Sequence, residues 1–266
     1  MLFVIDVGNS HTVTGLYSGD DLIGKWRLKS DRKMTADELA IQYHTLFAME
    51  KINTEEIHGV VLASVVPTLE AAWHACFQNH LFGHLTVPIL VVSNVNVSDM
   101  IDIQLPNPAE IGADRLVNAI AAYKEYPCNL VVVDFGTAIT FDCVTAQCEY
   151  LGGAILPGVA VSLEALSSKT AKLPHIDVSK GPKNIIGKST IEAMKSGILY
   201  GYGAMLDGMI AGIKKEMHIA EGTELHVIAT GGMASLISPY ASVIDTIDPL
   251  LTLKGLKIIY NEKVSS

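Results

Sequence analysis

Two aspartates stand in two copies of one local pattern, half a chain apart. Around Asp6 the chain reads Leu2-Phe3-Val4-Ile5-Asp6-Val7-Gly8-Asn9-Ser10-His11-Thr12-Val13. Around Asp134 it reads Val131-Val132-Val133-Asp134-Phe135-Gly136-Thr137-Ala138-Ile139-Thr140-Phe141-Asp142. Each copy is an apolar strand, an Asp at its end, a Gly two residues on, a small polar residue and a second apolar stretch. Gly has no Cβ, so the backbone there can approach a ligand closely. Turn N–H groups can then cradle phosphate oxygens. The carboxylate repels phosphate but can hold a divalent cation that bridges to it.

One Asp-x-Gly after a strand is by default a turn, since Asp and Gly are turn formers. Two matched copies favour a nucleotide-phosphate clamp, and a duplicated phosphate hairpin resembles the actin, sugar-kinase and heat-shock ATPase superfamily. The other common phosphate loop, Gly-x-x-x-x-Gly-Lys-Ser/Thr, is absent. Gly187-Lys188-Ser189-Thr190 has its tail, but no Gly lies five residues before Gly187.

Three more constellations could carry chemistry. Asp114 and Arg115, in Gly112-Ala113-Asp114-Arg115, would point about 100° apart on a helix, reading as a base beside an anion clamp. The bland alternative is a surface ion pair, which contributes little to stability. Ile228-Ala229-Thr230-Gly231-Gly232-Met233-Ala234 is a glycine pair between a strand and a helix, suited to close approach of an adenine and its ribose, or simply a tight turn. In Gly187-Lys188-Ser189-Thr190, Thr190 fits the cap of a long helix.

The elements that must position these residues follow from the pattern. Strands are expected at the two hairpins, at Gly24–Leu28, Gly59–Val66, Pro88–Val92, Tyr150–Leu156 and Leu225–Ala229. Thr35-Ala36-Asp37-Glu38 fits a capping box opening a helix through about Met49. Another helix should run from Thr68 to about His80. Asn107, Pro108 and Glu110 read as the start of a helix reaching about Tyr123. Helices are also expected near Val159–Ser167 and over Thr190–Met217, with a short one after Gly232. The order implies mixed α/β layers. Two domains, 1–118 and 119–266, are expected with a ligand cleft between them.

Composition excludes several classes. Hydrophobic residues make up 49% of the 266 and charged residues 18%, which argues against disorder. The net charge of −9 argues against a nucleic-acid partner. No apolar run approaches the ~20 residues of a membrane span. The N-terminus enters strand one without a basic stretch or cleavage site, so a cytoplasmic protein is expected. Cys76, Cys128, Cys143 and Cys148 are irregularly placed and are expected to be reduced thiols. Cys143 and Cys148 lack the partners a zinc site requires.

In family order and over nearly the whole chain, six stretches resemble the type III pantothenate kinases. They are Asp6-Val7-Gly8-Asn9-Ser10, Ser64-Val65-Val66-Pro67, Asn107-Pro108 with Gly112-Ala113-Asp114-Arg115, Asp134-Phe135-Gly136-Thr137-Ala138, Gly152-Gly153-Ala154-Ile155-Leu156-Pro157-Gly158, and Ala229-Thr230-Gly231-Gly232. The resemblance implies an α/β fold of duplicated ribonuclease H-like (actin-like ATPase) domains. It implies transfer of the ATP γ-phosphoryl group to the primary hydroxyl of pantothenate, the first step of coenzyme A biosynthesis. Asp114 would be the catalytic base, and Gly112, Ala113 and Arg115 would hold the substrate. Asp6, Val7, Gly8, Asn9, Ser10, His11, Thr12, Val13 and Thr137 would contact ATP, with Gly231 and Gly232 at the adenosine. Asp134 would hold a monovalent cation, K⁺ or NH₄⁺, and with Asp6 help place Mg²⁺. Thr190 would touch pantothenate across a homodimer interface. Leu105 stands where the family commonly has a Tyr; it can pack on the substrate but cannot donate a hydroxyl hydrogen bond. The rival reading is a nucleotide-binding regulator of the same fold without kinase activity.

Overall fold

The structure is a computed structural model that describes residues 1–83, 89–220 and 222–264. In chain order its elements are β1 (Leu2–Val7), β2 (His11–Ser18), β3 (Asp21–Lys29), α1 (Ala36–Met49), β4 (Gly59–Ser64), α2 (Pro67–Cys76), β5 (Leu90–Val91), β6 (Asp102–Ile103) and α3 (Ala113–Glu125). They continue with β7 (Asn129–Phe135), β8 (Ala138–Val144), β9 (Glu149–Pro157), α4 (Val159–Lys169), α5 (Thr190–Glu216), β10 (Leu225–Thr230), α6 (Ala234–Ile237), β11 (Thr246–Ile247) and α7 (Leu251–Val264).

The chain forms two compact units. The first comprises Met1–Ile101, Asn107–Ala121 and Thr252–Ser266; the second comprises Asp102–Pro106 and Ala122–Leu251. The sequence reading draws one boundary after residue 118 and leaves the C-terminal stretch with the second half. In the structure α7 packs in the first unit, with Gly255 against the Val117 carbonyl and Thr252 Oγ1 donating to Asn118 Oδ1 at 2.7 Å.

Each unit carries a mixed sheet. The first is ordered β3-β2-β1-β4-β5, the second β11-β10-β7-β8-β9-β6. In the first, β1–β2–β3 is an antiparallel meander, and β4 and β5 follow parallel to β1. In the second, β7–β8–β9 is the meander, and β10 and β11 follow parallel to β7. The second sheet thus repeats the first and adds β6 at the edge of β9. This is the duplicated α/β plan expected from the sequence. β1 and β7 are central strands in both sheets, which is why each reads as a continuous apolar run rather than an alternation.

Each unit has its own core. The first is aromatic: Phe3 meets Tyr43 at 5.6 Å and Phe47 at 5.4 Å, and Tyr43 lies 4.9 Å from Trp73. The second is mainly aliphatic, built on Val131, Val133, Ile198, Leu199, Leu206 and Ile237.

Local differences from the sequence reading have physical causes. Asn107 caps only a single 3₁₀ turn, Pro108–Glu110, because Ile111 turns extended. The helix restarts at Ala113, where the Gly112 carbonyl accepts from the N–H groups of Arg115 and Leu116. α2 begins at Pro67, one residue before Thr68, and a π turn over Phe77–Leu81 follows it. The expected strand Pro88–Val92 reduces to Leu90–Val91, with Pro88 outside the described residues. β6, β11 and α7 had no distinct sequence signal. The Thr35 capping box and α1 are as expected, the Glu38 N–H donating to Thr35 Oγ1 and the Thr35 N–H to Glu38 Oε2.

Candidate active site

Residue pairing places both aspartates alike. Asp6 is the last but one residue of β1 and lies opposite Val13; Asp134 is the last but one of β7 and lies opposite Thr140. Both are partly buried. The strands of the first hairpin last pair at Val7 and Thr12, leaving Gly8, Asn9, Ser10 and His11 as the loop. The Gly8 N–H donates to the His11 carbonyl at 3.1 Å and closes it. Asn9, Ser10 and His11 are exposed.

The stretch after β3 braces this loop. Ser30 Oγ donates to the Gly8 carbonyl at 2.7 Å, and the Ser30 N–H donates to the Ser10 carbonyl at 3.0 Å. The Arg32 guanidinium donates to Asn9 Oδ1 at 2.9 Å. The Arg27 guanidinium donates to His11 Nδ1 at 3.1 Å. Slight desolvation, then the Arg27 charge, lower the pKa of His11, so its ring is neutral near pH 7 and free to accept from Arg27. Ser30, Arg27 and Arg32 match no motif and could not be picked from sequence.

Backbone braces the second loop. Phe135 and Ile139 are the last pair, leaving Gly136, Thr137 and Ala138. The Gly158 N–H donates to the Thr137 carbonyl at 3.0 Å. A Cβ at Gly158 would collide with the carbonyls of Gly136 and Thr137, and one at Gly231 with Asp134 Oδ1 and the Phe135 backbone. Gly231 also has φ +87°, a region that L side chains rarely adopt. The Gly231-Gly232 turn therefore abuts the Asp134 carboxylate within the second unit.

Asp114 sits in the first turn of α3. Its carboxylate accepts the Arg115 N–H at 2.8 Å. A Cβ on Gly112 would lie 2.5 Å from Asp114 Oδ1, so only glycine leaves room for the carboxylate to fold back over the helix start. Burial raises the Asp114 pKa, and the Arg115 N–H and charge partly counter it. Asp114 and Arg115 are both half-buried. A cavity of about 320 Å³ opens in the first unit, lined by Val65, Ser93, Asn94, Glu110, Gly112 and Ala113 among others. That volume is within the ~300–1,000 Å³ typical of small-molecule sites.

Two further candidates lie in the second unit. Leu105 is half-buried and packs on Gly152, where an added Cβ would meet Leu105 Cδ2 at 3.2 Å. Thr190 is exposed at the first position of α5. It is not the cap: Ser189 Oγ accepts the Glu192 N–H at 3.2 Å, so the capping alternative for Thr190 passes to Ser189.

The sequence profile of the type III pantothenate kinases matches residues 2–212. The chain belongs to that family. A type III pantothenate kinase of Desulfotalea psychrophila is 55% identical over 97% of this chain and 97% of its own. That of Desulforapulum autotrophicum is 44% identical over 100% of this chain and 98% of its own. Among solved structures, component A of the (R)-2-hydroxyglutaryl-CoA dehydratase of Acidaminococcus fermentans superposes with a TM-score of 0.56 at 13% identity, covering both chains fully. A Campylobacter jejuni protein described as a Baf family transcriptional activator gives 0.55 at 20% identity over 99% of this chain and 100% of its own. At such identities the two share the fold with this pantothenate kinase family member and nothing more is carried over.

Proposed function

We propose that the chain transfers the γ-phosphoryl group of ATP to the hydroxyl of pantothenate, the reaction its family is named for, with Asp114 as the base. The observation that carries this reading is the half-buried Asp114 carboxylate at the start of α3, following directly on two residues that line the cavity. Its raised pKa brings a carboxylate closer to the range in which a base works well near neutral pH. The substrate oxygen forms a bond to the γ-phosphorus as Asp114 takes its proton, and the bond to the bridging oxygen breaks, releasing ADP. Such transfer depends on positioning and charge stabilisation more than on covalent help. Arg115 suits the pantothenate carboxylate through its planar fork of donors. Leu105 offers the acceptor an apolar contact only.

The hairpin residues Asp6 to Val13 and Thr137 are assigned to the nucleotide phosphates, and Gly231 and Gly232 to the adenosine. Among the described residues no cluster of three or more His, Cys, Asp or Glu could hold a metal alone. Mg²⁺ is usually held by one or two carboxylates plus substrate phosphates. Asp6 and Asp134 would supply those carboxylates, and Asp134 would also serve K⁺ or NH₄⁺. When bound, Mg²⁺ would neutralise phosphate charge. The four cysteines form no disulfide among the described residues, which suits a reducing, cytoplasmic setting. Among the described residues no helix is long and apolar enough to cross a membrane.

A second copy of this chain is the expected partner. On α5 a side chain added at Gly197, Gly201, Gly208 or Gly212 would meet nothing within 4 Å. Their spacing puts them on one helix face, where glycines permit close backbone approach. Ile186 is 78% exposed and Ile191 50% exposed near the same helix end as Thr190. A dimer mass in solution, lost in Gly201→Leu, supports the pairing; a fully active monomer overturns it.

The deciding assay for the reaction couples ADP release to pantothenate. ADP release that requires pantothenate supports the kinase. Pantothenate-independent release, or nucleotide binding with no turnover, returns the reading to a hydrolase or a regulator.

A further inference from the structure

Two polar atoms in the first unit lack hydrogen-bond partners among the described residues although they are shut off from solvent: Trp73 Nε1 and Gln42 Oε1. Trp73 is fully buried. An indole N–H can only donate and an amide oxygen can only accept. Both residues line one small cavity, together with Thr12, Ser30 and Tyr43. Its volume is about 10 Å³, the least space that admits one water. Buried polar groups are rarely left unmatched, and a buried water typically makes about three hydrogen bonds.

The hydroxyls on the cavity wall fix where the third bond goes. Ser30 Oγ donates its single proton to the Gly8 carbonyl at 2.7 Å. In its 3.0 Å contact with Thr12 Oγ1 it must therefore accept, so Thr12 donates. Having donated its proton, Thr12 Oγ1 keeps both lone pairs as acceptors. Thr12 is buried, so bulk solvent does not fill that capacity.

We propose that this cavity holds one structural water that joins the aromatic core to the first phosphate loop, making Trp73 and Gln42 positioning residues for Gly8. The water accepts from Trp73 Nε1 and donates to Gln42 Oε1 and Thr12 Oγ1. The chain then runs from Thr12 Oγ1 to Ser30 Oγ to the Gly8 carbonyl, with every donor used once. Gly8 is the residue at which the loop turns, so the water sets how firmly the N–H groups after it are presented. The kinetic side rests on the assignment of that loop to the nucleotide; the water itself does not.

A crystal structure of the full chain at atomic resolution tests the water directly. Expected is one ordered water 2.7–3.2 Å from all three atoms, the ordinary hydrogen-bond range. An empty cavity, a direct Trp73–Gln42 bond, or a water out of reach of Thr12 Oγ1 overturns the proposal. Kinetics test the coupling. Gln42→Met and Trp73→Phe should each raise KM for ATP roughly two- to tenfold, the worth of one net hydrogen bond, while kcat holds. Should Trp73→Phe fold poorly, Gln42→Met carries the test. In Gln42→Met/Thr12→Val the two effects should not multiply, because either change already breaks the chain. Independent effects, or a fall in kcat with unchanged KM, overturn the coupling even if the water is seen.

Discussion

The loop after Asp6 and the loop after Asp134 grow from the same strand pairing, yet they are held in different ways. The first has four residues between its last paired positions and is braced mainly by side chains, Ser30 on Gly8, Arg32 on Asn9 and Arg27 on His11, with one backbone bond from Ser30 to Ser10. The second has three and is braced by backbone, with Gly158 and Gly231 pressed against it. Side-chain braces can be weakened one at a time. A backbone brace depends on the absence of a Cβ and fails abruptly when one is added. The units differ in a second respect. Asp114, the proposed base, belongs to the first unit, which also carries the loop held by side chains.

The sharpest break in the comparison is at Asp114. Asp114→Asn should cut turnover by roughly 10²–10⁴, the usual worth of general-base catalysis. Nucleotide binding should survive. The folded-state pKa of Asp114 is raised, so the native state holds its proton over a pH window where the unfolded chain has lost it. Stability therefore falls as pH rises from the ordinary carboxylate pKa through the raised one. Removing the charge should leave the melting temperature at pH 7 unchanged or higher. The wild-type rate should fall as pH drops through the same raised pKa. A lower melting temperature with normal turnover would instead make Asp114 a structural partner of Arg115.

Next come the two hairpin carboxylates, compared directly. Asp6→Asn should weaken Mg²⁺–ATP affinity by roughly 10- to 100-fold, the range seen when groups organising a metal site are lost. The response to K⁺ should remain. Asp134→Asn should bring the rates in K⁺, NH₄⁺ and Na⁺ together. Titrating each variant with Mg²⁺–ATP in the three salts checks both. Identical salt responses in the two variants would mean the hairpins are equivalent, with no division of labour between Asp6 and Asp134.

The repeated hairpins were legible because their signal is local: an apolar run, one Asp and one Gly at fixed offsets. The duplicated plan followed from the same feature. Asp114 was visible as part of Gly-Ala-Asp-Arg, but its partial burial was not, since that depends on how the helix restarts after Ile111. The restart itself was missed because Asn107 and Pro108 give the same signal for a 3₁₀ turn as for a helix. α7 was missed because Gly255 weakens its helical pattern; the glycine is there to let the helix lie against the Val117 carbonyl. Ser30 and Arg32 reach the first loop from 22 and 23 residues away, a pairing set by the β2–β3 meander rather than by any motif.

The glycines test the backbone brace. Gly158→Ala and Gly231→Ala each force a Cβ into backbone or carboxylate atoms, and Gly231 would also suffer from its positive φ. Each should cost about 1–3 kcal/mol, as overpacking does. That corresponds to roughly 2–4 °C in Tm per kcal/mol for a chain of this size. Gly8→Ala should cost less, since its Cβ would stand 3.0 Å from the His11 carbonyl and the four-residue loop has room to shift. Thermal unfolding of the three variants ranks them, and equal losses would show that the first loop is as rigid as the second.

The smallest effect should come from Arg32→Ala. Arg32 donates to Asn9 Oδ1 at 2.9 Å, but both residues are exposed and water can replace the bond. Exposed polar contacts are commonly worth under ~1 kcal/mol. KM for ATP should therefore rise at most about fivefold, with Tm unchanged within error. Ser30→Ala is the internal control, because its bond to Gly8 is partly buried and shorter. It should raise KM more than Arg32→Ala does. If Arg32→Ala proves the more harmful, the guanidinium is itself contacting the nucleotide, and the first loop is a ligand site extended by Arg32 rather than a turn braced by it.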